Sequence, residues 1–226
     1  MGKLPKTKLR TFRPVEGVFG VRLNVSGYIL VGGASSRFGS DKALVELGGK
    51  PMCVRMSATL QALLVPEVWL VGDPIKYRNL GLRCMPDLWS GEGPLGGILT
   101  ALRHAETEGS AEYNLILSCD MPFLSEHWLK ELLSRAFRSE AQVVMAKSQH
   151  GLEPLCAVWH TKALATVEAQ FKLGVRKVTD AVKHLNREIL DESVWKRFDS
   201  AGRLFWNMNT AADYEEARRI LEAERA

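Results

Sequence analysis

Gly27-Tyr28-Ile29-Leu30-Val31-Gly32-Gly33-Ala34-Ser35-Ser36-Arg37-Phe38-Gly39-Ser40-Asp41-Lys42 is the stretch from which the fold reads outward. Its first five residues form a short apolar run that stops at paired glycines, the pattern of a fully buried strand feeding a turn. Similar runs recur at 68–71, 115–118 and 143–146. Between them the apolar residues change period. Met56, Leu60, Leu63 and Leu64 fall at i, i+4, i+7 and i+8, and Leu95, Ile98, Leu99 and Leu102 at i, i+3, i+4 and i+7. Trp128, Leu129, Leu132 and Leu133 make the same kind of stripe, which is the spacing of one helix face. Buried strands alternating with amphipathic helices imply βαβ units and a sheet covered on both sides. The expectation is an α/β, Rossmann-like fold with an open, mostly parallel sheet, open because only about five such strands are visible.

The chain has 226 residues, 46% of them hydrophobic, enough for one domain with a substantial core. The folded unit is expected to start near Ser26 and to run as a single domain over 26–226. Within it, a more regular part, 26–150, is expected to be followed by a less regular part, 151–226. In the second part 155–159 reads as a strand, 161–172 and 178–185 as helices, and Thr210 as the cap of a last helix reaching about residue 224. Residues 1–25 mix charges with Pro5, Pro14, Gly17 and Gly20 and show no sustained period, so they read as a flexible basic arm. That arm holds six cations against one anion and carries +5, which leaves −1 for the rest of a chain whose net charge is +4. A near-neutral body offers no broad field for a nucleic-acid backbone, so no nucleic-acid partner is expected. Cys53, Cys84, Cys119 and Cys156 stand more than 30 residues apart, with no paired-cysteine or histidine spacing for zinc. They read as small buried apolar residues of a reducing compartment. The prolines and charges of the first segment interrupt any secretory signal, and no apolar run is long enough for a membrane span. A cytoplasmic protein is expected.

In an open α/β sheet ligands bind beyond the carboxyl ends of the strands, which is where the segment after Val31 begins. Paired glycines and small residues let backbone N–H groups approach phosphate oxygens, and Arg37 and Lys42 bring two cations to a polyanion. A nucleoside triphosphate fits that combination. The Walker pattern is excluded because Gly39 is followed by Ser40-Asp41-Lys42. A literal G-x-G-x-x-G occurs at Gly91, Gly93 and Gly96, but Asp87-Leu88-Trp89-Ser90 separates it from the preceding strand run, which argues against a dinucleotide fingerprint. Asp120 follows the run 115–119 and precedes Met121-Pro122, which places a carboxylate at the same sheet edge. Such a hard oxygen ligand suits Mg²⁺ shared with phosphates, and it equally suits the capping of a turn. Asp87, just after Cys84-Met85-Pro86, reads from the residues alone as an exposed loop carboxylate. Gly93-Pro94-Leu95-Gly96-Gly97 opens a helix, as a close-approach surface for nucleotide or as plain architecture.

Gly32-Gly33-x-Ser-Ser-Arg37-x-Gly39-x-Asp41-Lys42, followed by Gly48-Gly49-Lys50-Pro51, resembles the molybdenum cofactor guanylyltransferase family. The resemblance continues through Gly93-Pro94-Leu95-Gly96-Gly97, Cys119-Asp120-Met121-Pro122-Phe123, Glu153-Pro154-Leu155 and Asn207-Met208-Asn209-Thr210, and so covers nearly everything after Ser26. It implies a nucleotide-diphospho-sugar transferase type of fold and Mg²⁺-dependent transfer of GMP from GTP to molybdopterin or molybdenum cofactor, with release of pyrophosphate. It implies nucleotide contacts at Leu30, Val31, Gly32, Gly33, Lys42, Asp87 and Asp120, catalytic roles for Arg37, Lys42 and Asp120, and the metal on Asp120. It leaves open a direct contact with cofactor-insertion proteins. Two other readings stand beside it: a cytidylyltransferase or other nucleotidyltransferase with a different acceptor, and a catalytically silent nucleotide-binding regulator of the same fold. Asn209 reads as a helix support at least as well as a substrate contact.

Overall fold

The computed structural model describes residues 24–32, 41–109, 111–199 and 201–224. Most of the basic arm, Gly33 and Arg37 lie outside them. The described chain runs β1 (Val25–Leu30), a two-strand hairpin β2 (Glu46–Leu47) and β3 (Lys50–Pro51), α1 (Met52–Ala62), β4 (Glu67–Val71), α2 (Pro74–Tyr77) and β5 (Arg83–Met85). It continues with α3 (Pro94–Glu108), β6 (Tyr113–Ser118), α4 (Glu126–Ala136), β7 (Val143–Ser148), β8 (Gly151–His160) and α5 (Leu164–Lys172). The last elements are α6 (Val178–Ala181), β9 (Arg187–Leu190), α7 (Glu192–Trp195) and α8 (Ala211–Ala223).

Seven strands form one sheet in the order β5-β4-β1-β6-β8-β7-β9. The β5-β4-β1-β6 half is wholly parallel, and β9 adds parallel to β7. β8 is antiparallel to both its neighbours. The reason is local: only Gln149 and His150 separate β7 from β8, too few residues for the crossover that a parallel pair requires. Gly151 takes up the sharp reversal at φ +116°. The expected α/β architecture with an open, mostly parallel sheet is therefore the observed one.

Strand alternation divides the core between the two faces. Ile29, Leu115, Leu117, Val144, Cys156 and Val158 pack on the side of α1 and α4. Tyr28, Ile116, Met145, Ala157 and Trp159 pack on the side of α3 and α5. The α3 stripe of Leu95, Ile98, Leu99 and Leu102 is completely buried, as is the Trp128, Leu129, Leu132 part of α4. Capping chemistry fixes the ends. Pro94 opens α3 and Gly109 closes it at φ +57°, the Ser125 hydroxyl accepts from Trp128 N, and Thr210 with Asp213 forms a complete capping box on α8.

Three local expectations change. α1 ends at Ala62, and Leu64, placed by its spacing on the buried stripe, is instead 64% exposed in the left-handed region at φ +59°. Its amide bonds to Gln61 O after the helix has turned away, so the heptad spacing no longer applies. The helix expected over 178–185 is a single α turn continued by a 3-10 turn, Val182–His184. β9 and α7 had no counterpart in the sequence reading. The four cysteines are free, with Cys53, Cys119 and Cys156 buried. Among the described residues no helix is long and apolar enough to cross a membrane.

Candidate active site

Four parallel strands, β5, β4, β1 and β6, deliver their carboxyl ends to one edge, and the site is assembled there from segments far apart in sequence. After β1, Val31 is buried and its amide bonds to Val71 O at 3.0 Å, so the chain leaves the sheet still paired to the end of β4. Leu30 is half-buried beside Gly97 of α3, where a Cβ would come 3.1 Å from the leucine side chain. Gly32 is exposed at φ +121°, a conformation that side chains resist. Gly72, which no sequence reading singled out, is equally constrained: a Cβ there would sit 2.4 Å from Val31 O. Gly96 is tight against Trp89, so the glycines at the start of α3 serve close packing of that helix on the edge.

Lys42 begins a 3-10 turn, Lys42–Leu44, capped by Asp41 whose Oδ1 accepts from Ala43 N at 3.0 Å. The other Asp41 oxygen accepts from the buried Tyr77 hydroxyl at 2.7 Å and pairs with Lys76. Burial pushes the Asp41 carboxyl up, but the bonds from Lys76, Tyr77 and Ala43 N outweigh it and hold the group below the ordinary carboxylate range. The turn carrying Lys42 is thus pinned by an ionised cap. Lys42 Nζ donates to Asn209 Oδ1 at 2.6 Å and lies 3.7 Å from Asp120 Oδ2. Ser118 Oγ donates to Asp120 Oδ1 at 2.6 Å, and Met208 N donates to the Asp120 carbonyl at 2.8 Å. Three segments, 41–44, 118–121 and 207–209, therefore meet around one cation and one carboxylate. Asn209 is not the cap of α8; Thr210 is, and that frees the Asn209 side chain for Lys42. An Asn one residue before a Thr-x-x-Asp capping box was the available signal.

Asp87 lies three strand positions from β6, beyond β5. One of its oxygens accepts from Trp89 N at 3.0 Å and from Thr100 Oγ1 at 2.8 Å, which fastens the turn that leads into α3. So the structure brings Lys42 and Asp120 together and holds Asp87 apart at the far end of the same edge, at a spacing suited to different parts of one extended ligand.

A cavity of about 400 Å³ adjoins Asp120, lined among others by Ser118, Leu152, Glu153, Leu155, Val178 and Asn207. Glu153 is buried, and Ser148 Oγ donates to its Oε1 at 2.5 Å. Burial pushes its carboxyl above the ordinary range, an effect reinforced by Asp120 and opposed by the Ser148 hydrogen bond and by His150. Arg176, on the cavity rim, pairs with Glu92 and stacks on Phe171, whereas Lys147 and His150 are exposed. Among the described residues no three His, Cys, Asp or Glu groups cluster as a self-sufficient metal cage. A single carboxylate with one oxygen held by Ser118 and the other turned to the site instead suits a hard cation that takes its remaining ligands from phosphate and water.

The model of the MobA-like NTP transferase domain matches residues 27–188 of this chain. A probable molybdenum cofactor guanylyltransferase of Natranaerobius thermophilus is 32% identical over 202 residues, covering 88% of this chain and 97% of the relative. One of Flavobacterium johnsoniae is 36% identical over 166 residues, covering 73% and 83%. Among solved structures, the molybdopterin-guanine dinucleotide biosynthesis protein A of Archaeoglobus fulgidus superposes with a TM-score of 0.73 at 26% identity, covering 88% of this chain and 99% of that one.

Proposed function

Since the chain belongs to the MobA-like NTP transferase family and is a nucleotidyltransferase, we propose that it transfers GMP from GTP to molybdopterin or molybdenum cofactor in the cytoplasm. An acceptor phosphate oxygen attacks the α-phosphorus of GTP, a new P–O bond forms, the bond from the α-phosphorus to the bridging oxygen breaks, and pyrophosphate leaves. The product is a phosphoanhydride, a guanine dinucleotide form of the cofactor. A phosphate nucleophile is already ionised at neutral pH, so the protein's work is positioning and charge neutralisation rather than proton abstraction.

The observation that carries this reading is the meeting of Lys42, Asp120 and Asn209 at the strand edge next to Gly32. Lys42, oriented by Asn209, places its ammonium where charge builds on the transferring phosphate. Asp120, oriented by Ser118, would hold Mg²⁺ through Oδ2, and the ion when bound supplies charge neutralisation of the triphosphate. Gly32 offers backbone to a phosphate, and Leu30 and Val31, at the end of β1, border the nucleotide; Gly33 as a nucleotide contact and Arg37 as a catalytic cation rest on the motif they share with the family. Asp87, at the far end of the edge, contacts the base or ribose with the oxygen it does not spend on Trp89 and Thr100. Guanine presents N1–H and an exocyclic amine as donors, which a carboxylate can accept and which cytosine does not offer in that arrangement.

Supplying molybdopterin with GTP, CTP or ATP and following pyrophosphate tests the reading. Consumption of GTP far above the others is expected, since unmatched buried polar groups discriminate by roughly 10⁴. Preferential consumption of CTP identifies a cytidylyltransferase, and GTP binding without pyrophosphate release identifies a silent nucleotide-binding module.

A further inference from the structure

We propose that Glu153 selects the acceptor, receiving N–H hydrogen bonds from the donor edge of a 2-aminopyrimidin-4-one ring of the kind carried by pterins; this rests on the acceptor named above. Glu153 is 8% exposed, and Ser148 Oγ on Oε1 is its one hydrogen-bond donor among the described residues. Its other oxygen has no hydrogen-bond donor among the described residues yet is not sealed off, so a largely desolvated carboxylate keeps one acceptor open to the cavity, where a ligand can complete it. This one lines the 400 Å³ cavity, whose volume lies within the usual range for small-molecule sites. Met121, Leu152, Leu155 and Val178 supply apolar wall, and the cavity holds two carboxylates, Asp120 toward the reacting centre and Glu153 beside the apolar wall. A carboxylate beside apolar wall suits a heterocycle with adjacent amide and amine N–H groups, while Arg176 and Lys177 in the same lining suit an anionic substituent on it.

Strand register fixes the cavity relative to the reacting centre. Leu117 of β6 stands opposite Cys156 of the antiparallel β8. Asp120 lies three residues after Leu117 and Glu153 three residues before Cys156, the same direction in an antiparallel pair, and both line the cavity. A ring held at Glu153 therefore has its phosphate arm within the same cavity as Asp120, on the path to Lys42. Guanine carries the same donor edge as a pterin, so the side of the sheet decides between the two. Gly32 and Asp87 follow β1 and β5, on one side of β6, while Glu153 lies on β8, on the other. The edge thus has separate ends for nucleotide and acceptor, joined at Asp120.

The test uses the full chain with Glu153→Ala and Glu153→Gln, the latter keeping the shape and the Ser148 bond should the smaller residue fail to fold. Binding of pterin-6-carboxylate is read by quenching of its fluorescence, GTP binding by equilibrium titration, and turnover with GTP and molybdopterin as a function of acceptor and Mg²⁺. Hydrogen bonds to a charged acceptor correspond to roughly 10–100-fold in affinity. Both variants are expected to weaken the pterin probe and raise the acceptor KM by about that factor, with GTP affinity within about twofold of the unaltered chain. Unchanged pterin binding, or no pterin binding by the unaltered chain, overturns the assignment. A parallel loss of GTP affinity makes Glu153 a guanine reader, and a raised Mg²⁺ requirement with normal pterin binding makes it a metal ligand; either also overturns it. If the unaltered chain consumes no GTP with molybdopterin, the proposed function fails. If it does, and the variants keep their acceptor KM, only the role of Glu153 fails.

Discussion

Lys42 holds its ammonium 2.6 Å from a neutral amide oxygen and 3.7 Å from a carboxylate, a looser grip on the negative partner than on the neutral one. Its charge is therefore oriented without being fully neutralised, and remains available to a phosphate. Lys42→Ala is expected to lower turnover by roughly 10²–10³ with an unchanged thermal midpoint, because the residue is a preorganised charge rather than a packing element. Retention of more than about a tenth of the activity would remove Lys42 from the mechanism, on the same range. Leu64 makes a prediction of the opposite kind. It occupies a left-handed position with most of its side chain in water, so it contributes strain and little burial. Leu64→Gly should raise stability by about 1 kcal/mol, the usual left-handed penalty less the glycine entropy, as a higher urea midpoint at equal slope. A lower midpoint would show that the leucine packs in a way its exposure does not suggest.

At the scale of elements, the alternation of buried strand and striped helix carried the fold because both signals are local. Each of 68–71, 115–118 and 143–146 lies within an observed strand, and the stripes on α3 and α4 face the core. β9 was not legible: Arg187 and Glu188 break its apolar run, and its place beside β7 is decided by long-range pairing. The candidate site was half legible for the same reason. Lys42 announces itself as the cation that ends the glycine-rich segment and Asp120 as a carboxylate just past a strand, whereas the orienting roles of Asn209 and Ser118 exist only once three distant segments meet. Gly72 is a further case, because its need for a bare Cα comes from Val31, just beyond the end of the neighbouring β1. Gly72→Ala should cost roughly 1–3 kcal/mol, since backbone must move to admit the methyl group. Because the displaced atom belongs to the residue just before Gly32, the same change should raise the KM for GTP. Unaltered stability together with an unaltered KM would mean that the β1 and β4 ends separate freely.

For the whole molecule, stability and function are set against each other at Glu153. Its folded-state carboxyl titrates above its ordinary 4.5, chiefly because burial disfavours the charge. The charged and titratable groups around it are Asp120 from the end of β6, His150 from the turn between β7 and β8, and Arg176 and Lys177 on the cavity rim. A carboxyl raised on folding binds its proton more tightly in the native state, so the native state is favoured below 4.5 and loses that advantage as pH rises through the folded value. Above that window the ionised group is a standing cost. Glu153→Gln, which keeps the Ser148 bond but carries no charge, should therefore match the unaltered chain near pH 4 and become the more stable of the two as pH rises to 8. Urea unfolding at several pH values reads the difference directly. A gap between the two chains that stays constant from pH 4 to 8 would mean that Glu153 is solvated in the native state, and that the fold carries no strain for the sake of a ligand there.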